Sequence, residues 1–285
     1  MIDYHDDPRI GCSMLKVAEN RPWEYRDVYV EKTRAGLDLS ERVNIGIGTV
    51  VHQVLLEGRD IDDVAVGIPA DCLKSNGAVN PHRMKEYRAL NAGKVVLKDA
   101  DWKRVVGCIN AVRSHELGNL LKEPGITFEE PIYWEDSETG LECKARPDFC
   151  YLGDGVVVSY DLKVSEVVSP DGWGRVARRL QYWLQDMHYS SGLSHLHGQP
   201  VAFVFWVVES AYPHRIARYE YDQISRERAS ESYRMVMKRL KKRLDDGDWR
   251  DDWESDRNTL TLYPWELGVT EDGELEGFDN EEESS

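Results

Sequence analysis

Apolar positions along this chain alternate between helical and strand-like periods. Over residues 13–29 they recur in a helix-rich entry segment that contains Trp23 and Tyr25. Over 47–56 the residues Ile47, Val50, Val51, Val54 and Leu55 fall at helical spacing behind Gly46 and Gly48, which predicts a helix with one buried face. His52 projects off that stripe. A stretch punctuated by Gly, Pro and Asn, 67–80, leads to two further helices at about 83–92 and 101–121. From Thr127 the period shortens: 128–134, 141–151 and 156–168 read as three strands, the last two joined by the turn Leu152-Gly153-Asp154-Gly155. Residues 172–193 return to helical spacing, with Val176, Leu180, Trp183, Leu184 and Met187 on one side. The run 201–208 is apolar on both alternating faces and predicts a central buried strand. Residues 218–221 suggest an edge strand and 225–244 a long basic amphipathic helix. This order predicts an α/β fold with a mixed central sheet flanked by helices.

The chain has 285 residues, 41% hydrophobic, enough for one sizeable core, and its composition excludes collagen-like and low-complexity classes. Its 52 acidic and 36 basic residues give a net charge of −16, which argues against a simple basic nucleic-acid module. The charge is not evenly spread. Residues 245–285 hold sixteen acidic and two basic residues, −14 of the −16, so residues 1–244 carry only −2. We therefore expect a domain over 1–244 and an acidic tail over 245–285, solvated or in part docked by Trp249, Trp253 and Tyr263-Pro264-Trp265. A near-neutral body is compatible with a phosphate-backbone partner, because local patches set the field. No stretch approaches the roughly 18 apolar residues of a membrane span, and no signal segment opens the chain, so a cytoplasmic protein is expected. Five cysteines without a C-x-x-C suggest neither a disulfide framework nor a zinc ribbon.

Chemistry concentrates in Glu142-Cys-Lys-Ala-Arg-Pro-Asp148 and Ser159-Tyr-Asp161-Leu-Lys163. Residues i and i+2 of a strand share a face, so Asp161 and Lys163 point the same way while Tyr160 and Leu162 point into packing. The turn between the strands folds Asp148 back beside Asp161. Converging carboxylates are costly unless a cation lies between them, and oxygen ligands select Mg²⁺ or Mn²⁺ over zinc. One or two such ions would suit phosphodiester hydrolysis, with Lys163 orienting the water or helping to deprotonate it.

Pro147-Asp148 followed, after twelve residues, by Asp161-Leu162-Lys163 resembles the signature of the PD-(D/E)XK nuclease superfamily. Gly48-Thr-Val-Val-His52 resembles the G-x-x-x-H helix of its RecB-like branch, and Gln185-Asp-Met-His-Tyr189 resembles the Q-x-x-x-Y helix. With Cys12-Ser-Met-Leu-Lys16, Trp23-Glu-Tyr25 and Gln181-Tyr-Trp-Leu-Gln185, the likeness is to exonuclease VIII (RecE)-like nuclease domains. It implies a restriction-endonuclease-like core in which Asp148, Asp161, the Leu162 carbonyl and His52 bind metal and Lys163 serves the hydrolytic water. Gln185 and Tyr189 would line the site, and Glu130 is a further candidate ligand.

The resemblance also implies a 5′ to 3′ exonuclease acting on linear double-stranded DNA ends in phage-type recombination or repair. A ring-shaped homo-oligomer and a single-strand-annealing recombinase partner go with it. The alternative is a nuclease-fold DNA-binding or assembly subunit without chemistry. No cysteine follows Cys150, so no iron-sulfur cluster is expected, and no phosphate-binding loop of the G-x-x-x-x-G-K-[ST] type implies a nucleotide. For the DNA backbone the sequence offers Arg175, Arg178 and Arg179, a second cluster of Arg234, Lys238, Arg239, Lys241, Lys242 and Arg243, and Trp173 for base stacking.

Overall fold

The computed structural model describes residues 4, 6–35, 43–153, 155–251, 254 and 260. The entry segment forms α1 (Cys12–Asn20) and a short α2 (Pro22–Tyr25), where Pro22 occupies a helix start that needs no N–H. A π-helical turn over Arg26–Val30 continues it. Helix α3 (Val43–Leu55) buries Ile47, Val50, Val51 and Val54, the stripe read from the sequence. Next come α4 (Ile61–Val64), β1 (Ala65–Gly67), α5 (Pro81–Leu90) and β2 (Val95–Leu97). β1 and β2 pair in parallel, a sheet no periodicity announced because strands of three residues carry none. The helix expected over 101–121 is two, α6 (Asp99–Ser114) and α7 (Glu116–Leu120). Between them His115 takes extended backbone, and its Nδ1 accepts the Leu117 N–H at 3.2 Å, capping α7.

The strand group is β3 (Ile126–Phe128), β4 (Ile132–Glu135), β5 (Glu142–Ala145), β6 (Phe149–Gly153) and β7 (Val156–Ser165). Two of the three expected strands are therefore divided. Glu129 adopts a left-handed φ of 51° and Pro131 follows it, which separates β3 from β4. Pro147, which cannot donate to a ladder, separates β5 from β6. As a result β4 and β5 peel away as their own antiparallel pair, while β3 and β6 join the main sheet. Asp154 of the β6–β7 turn lies outside the described residues; Gly155 there has φ of 81°, a conformation that favours glycine. The remaining elements are α8 (Pro170–Arg179), α9 (Tyr182–His197), β8 (Val201–Glu209), β9 (Ile216–Tyr219) and α10 (Gln223–Asp246). The helix expected over 172–193 is thus broken at Gln181, whose φ is 51°.

The main sheet has five strands in the order β3-β6-β7-β8-β9, with β7 and β8 parallel and the other neighbours antiparallel. It is the mixed α/β sheet expected. Strand β8 is buried on both faces: Phe203, Phe205 and Val207 pack with Trp173 and Ala177 of α8, and Val204, Trp206 and Val208 pack with α3 and α6. A third apolar cluster joins α1, α9 and α10 to β4 and β5 through Leu15, Trp134, Leu184, Tyr233 and Leu240. There α9 lies directly on β4, since a Cβ at Gly192 would stand 2.6 Å from the Trp134 ring. His188 of α9 is fully buried between the Lys144 carbonyl at 3.0 Å and the Tyr233 hydroxyl at 3.1 Å. Burial lowers its pKa to about 4, so a neutral imidazole ties α9 to β5 and α10.

Residues 1–249 form one compact unit and 250–285 a second. The boundary expected after Leu244 falls inside the last turn of α10, and Trp249 stacks on Tyr25 at 5.3 Å within the first unit. Trp253 and 263–265 lie outside the described residues. All five cysteines are free and buried. No described helix is long and apolar enough to cross a membrane.

Candidate active site

Asp148 immediately precedes β6, whose first residue, Phe149, pairs with Tyr160, the neighbour of Asp161 on β7. Asp148 Oδ2 accepts the Leu162 N–H at 2.7 Å. From α3, the His52 Nε2–H donates to the Leu162 carbonyl, and His52 Nδ1 stands 3.6 Å from Asp148 Oδ2. Glu129 joins them because its left-handed backbone turns it off β3: its N–H donates to the Asp148 carbonyl at 3.1 Å, and its carboxylate meets Arg146 Nε at 2.9 Å. His52, Glu129 and Asp148 each offer one ligand atom, all within 4.8 Å of one another. Burial raises the Asp148 pKa, with Asp161 adding to the rise and His52 and Lys163 opposing it. Glu129 is raised by burial and then by Asp148. Two oxygen donors and an imidazole, with both acids held above their ordinary range, form a group whose charge a hard divalent cation would compensate.

Asp161, 1% exposed, is engaged on both oxygens. Lys163 Nζ stands 2.5 Å from Oδ2, and Gln185 Nε2 donates to Oδ1 at 2.5 Å. It is therefore not one of the three clustered residues, although its charge reaches Asp148. Burial alone would lower the Lys163 pKa, but Asp161 and then Tyr182 outweigh it and the ammonium is held protonated. Tyr189, one turn beyond Gln185, packs edge-on to Phe203 at 6.0 Å. Burial, then nearby Cys12, Tyr4, Asp161 and Asp148, push its hydroxyl well above the ordinary phenol range. Asp148, Asp161, Leu162, Lys163, His52, Gln185 and Tyr189 thus come together from α3, α9 and the β6–β7 hairpin.

Glu130 is exposed and lines a separate cavity of about 70 Å³ with Leu193 and His197. The acid beside His52 is Glu129, because the left-handed residue reverses the strand alternation. Arg178 and Arg179 are exposed at the end of α8 and diverge: the charge of Arg179 reaches Tyr182, that of Arg178 reaches Tyr221. Trp173 is not offered to a base; it is 3% exposed and stacked on Tyr182 and Tyr219. Much of the basic run of α10 is paired with acids, some from distant segments. Arg234 and Lys238 meet Glu138, Arg239 meets Glu19, and Lys241 and Lys242 meet Asp245 and Asp246.

A mixed sheet whose central hairpin carries Asp148, Asp161 and Lys163, with the His52 helix on one side and the Gln185 helix on the other, defines a PD-(D/E)XK-like domain. The chain belongs to DUF3799, a PDDEXK-like domain of unknown function, whose family model matches residues 12–253. Among solved structures it is similar to a candidate exonuclease from Eubacterium rectale, with 13% identity over 90% of each chain and a TM-score of 0.55, a likeness of fold. A second structure, SSO0001, aligns with 54% of this chain and 70% of its own at 18% identity, with a TM-score of 0.25. No curated protein matches.

Proposed function

We propose that the protein is a Mg²⁺- or Mn²⁺-dependent deoxyribonuclease that degrades linear duplex DNA from its ends, 5′ to 3′. The observation that carries this reading is the meeting of the His52, Glu129 and Asp148 donors with the Asp161–Lys163 pair on one hairpin. His52, Glu129 and Asp148 would hold a cation, with Asp161 and the Leu162 carbonyl adjacent to complete its shell or to hold a second ion. A bound divalent cation supplies Lewis-acid polarisation of a phosphoryl oxygen and a more acidic water. Lys163, kept as an ammonium by Asp161, donates to the attacking water or to a phosphoryl oxygen and does not act as a base. Gln185 fixes Asp161 in the rotamer that faces Lys163.

Linear duplex labelled at the 5′ or 3′ end, incubated with Mg²⁺ beside a closed circle, tests the reading. Early loss of the 5′ label with an intact circle is expected. A cut circle would make it an endonuclease; binding without cleavage in either Mg²⁺ or Mn²⁺ would make it an inactive assembly subunit. Resemblance to exonuclease VIII further supports a ring-shaped oligomer working with an annealing recombinase, which light scattering and co-purification would test.

The raised acids also set a pH dependence. A carboxyl whose folded pKa exceeds its unfolded value withdraws stability as pH rises through the folded value, and a bound cation restores it. At ten times its Kd the ion contributes about 1.4 kcal/mol, or about 3–6 °C in Tm for a unit of this size. The shift should be larger at pH 8 than at pH 5.5 and absent in Asp148→Asn. Calorimetry finding equal shifts at the two pH values would remove the carboxylates from the ion's shell.

A further inference from the structure

Lys16, on α1, is half-buried, and its Nζ donates to the Leu180 carbonyl at 2.7 Å. It stands 5.1 Å from the Tyr182 ring centroid, and so does Lys163 Nζ. Two ammoniums therefore share one aromatic ring, and the nearby acid, Asp161, already serves Lys163 and Gln185. Among the described residues no carboxylate lies in ion-pair range of Lys16. Burial pulls its pKa down and Lys163 adds to the depression, while Cys12 and, more weakly, Asp161 oppose it. The charge of Arg179 also reaches Tyr182. A half-buried cation beside a second cation, without an acid of its own, is costly in the free protein, and an anion arriving there relieves the cost.

We propose that Lys16, with Tyr182 and Arg179, seats the phosphate next to the scissile one on the DNA strand, a positioning site distinct from the cation-binding acids. The inference rests on the nuclease reading above. The ring of Tyr182 spaces the two ammoniums, so that Lys163 faces the reacting phosphate and Lys16 holds its neighbour. Lys16 is also pinned structurally: the Leu180 carbonyl it holds lies at the α8–α9 elbow, where Asn20 Nδ2 donates to Gln181 Oε1 at 2.7 Å.

Anisotropy of a labelled duplex, with Ca²⁺ replacing Mg²⁺ and KCl varied from about 50 to 200 mM, separates these roles. Lys16→Gln should lower the slope of log K against log salt by about 0.9, one phosphate contact. In Mg²⁺ it should raise KM about tenfold, the worth of about 1.4 kcal/mol, with kcat changed less than about threefold; Lys16→Arg should restore both. Asn20→Ala loosens the elbow without removing charge and should keep the wild-type slope. If it lowers the slope as Lys16→Gln does, or if Lys16→Gln leaves slope and KM unchanged, the phosphate seat is wrong. A readout independent of any variant is reductive methylation of the wild type. Duplex should shield Lys16 while exposed Lys74 stays reactive, and equal labelling of Lys16 with and without bound DNA sinks the proposal. A wild type that binds no duplex at all overturns the nuclease reading, and the seat with it.

Discussion

Asp148→Asn is expected to lower the rate of duplex digestion about 10³-fold or more, the scale on which removal of a key electrostatic group acts, while leaving the fold intact. The substitution is nearly isosteric, and its amide oxygen can still accept the Leu162 N–H that Asp148 Oδ2 holds at 2.7 Å. What it removes is negative charge from the group shared with His52 and Glu129. Because burial raises the Asp148 pKa, the neutral side chain should leave cation-free Tm unchanged or slightly higher at pH 8. Lys163→Ala is expected to abolish activity as well, but less cleanly. It strands Asp161, 1% exposed, with Gln185 as its remaining partner, and a buried charge stripped of its counterion destabilises. Initial rates read beside melting curves distinguish the two. Should Asp148→Asn keep more than about a tenth of the wild-type rate at saturating Mg²⁺, Asp148 is not in the machinery.

What could be read from the sequence follows from where periodicity and motif spacing are strong. The α3 stripe, the two-faced apolar run of β8 and the short β6–β7 hairpin, at whose start Asp148 accepts the Leu162 N–H, are all set by local pattern, and the structure has each in place. The misplacements share one cause, a single residue that leaves regular backbone. Glu129 and Gln181 both take left-handed conformations, and neither is Gly or Asn, so nothing in their side chains announces the break. At Glu129 that break moves the clustered acid one position from Glu130. At Gln181 it ends α8 and exposes the Leu180 carbonyl to Lys16. Pro131 and Pro147 did announce the strand breaks; their lack of an N–H outweighs the apolar run around them. The basic stripe of α10 meets acids that its own pattern does not show. Net charge per element says nothing about partners such as Glu138 and Glu19, which arrive from distant segments.

The support behind Gln185 and Tyr189 yields the second large effect. Their neighbour Asp186 is fully buried on α9, and Arg226 of α10 holds it at 2.9 Å while also donating to the Val201 carbonyl at 2.8 Å and to Ser190 at 3.1 Å. Burial raises the Asp186 pKa to about 6 even with Arg226 and Ser190 opposing. Arg226→Met leaves that carboxylate without a counterion, a change that destabilises by about 3–5 kcal/mol, or about 10 °C in Tm for a unit of this size. The loss should depend on pH in a fixed sense. Since the folded pKa lies above the unfolded one, stability is withdrawn as pH rises through about 6, and without Arg226, which opposes the rise, the withdrawal is larger and continues to higher pH. The penalty should therefore be largest at pH 8 and shrink at pH 5, where Asp186 carries a proton in both proteins. Asp186→Leu combined with Arg226→Met should recover much of the stability, because replacing both members of a buried pair removes the stranded charge. Denaturant melts of the two variants at pH 5 and pH 8 decide the matter. A penalty independent of pH, or a double variant no more stable than Arg226→Met, would mean that Arg226 acts through its bond to the Val201 carbonyl and that the Asp186 charge carries little of the joint between α9 and α10.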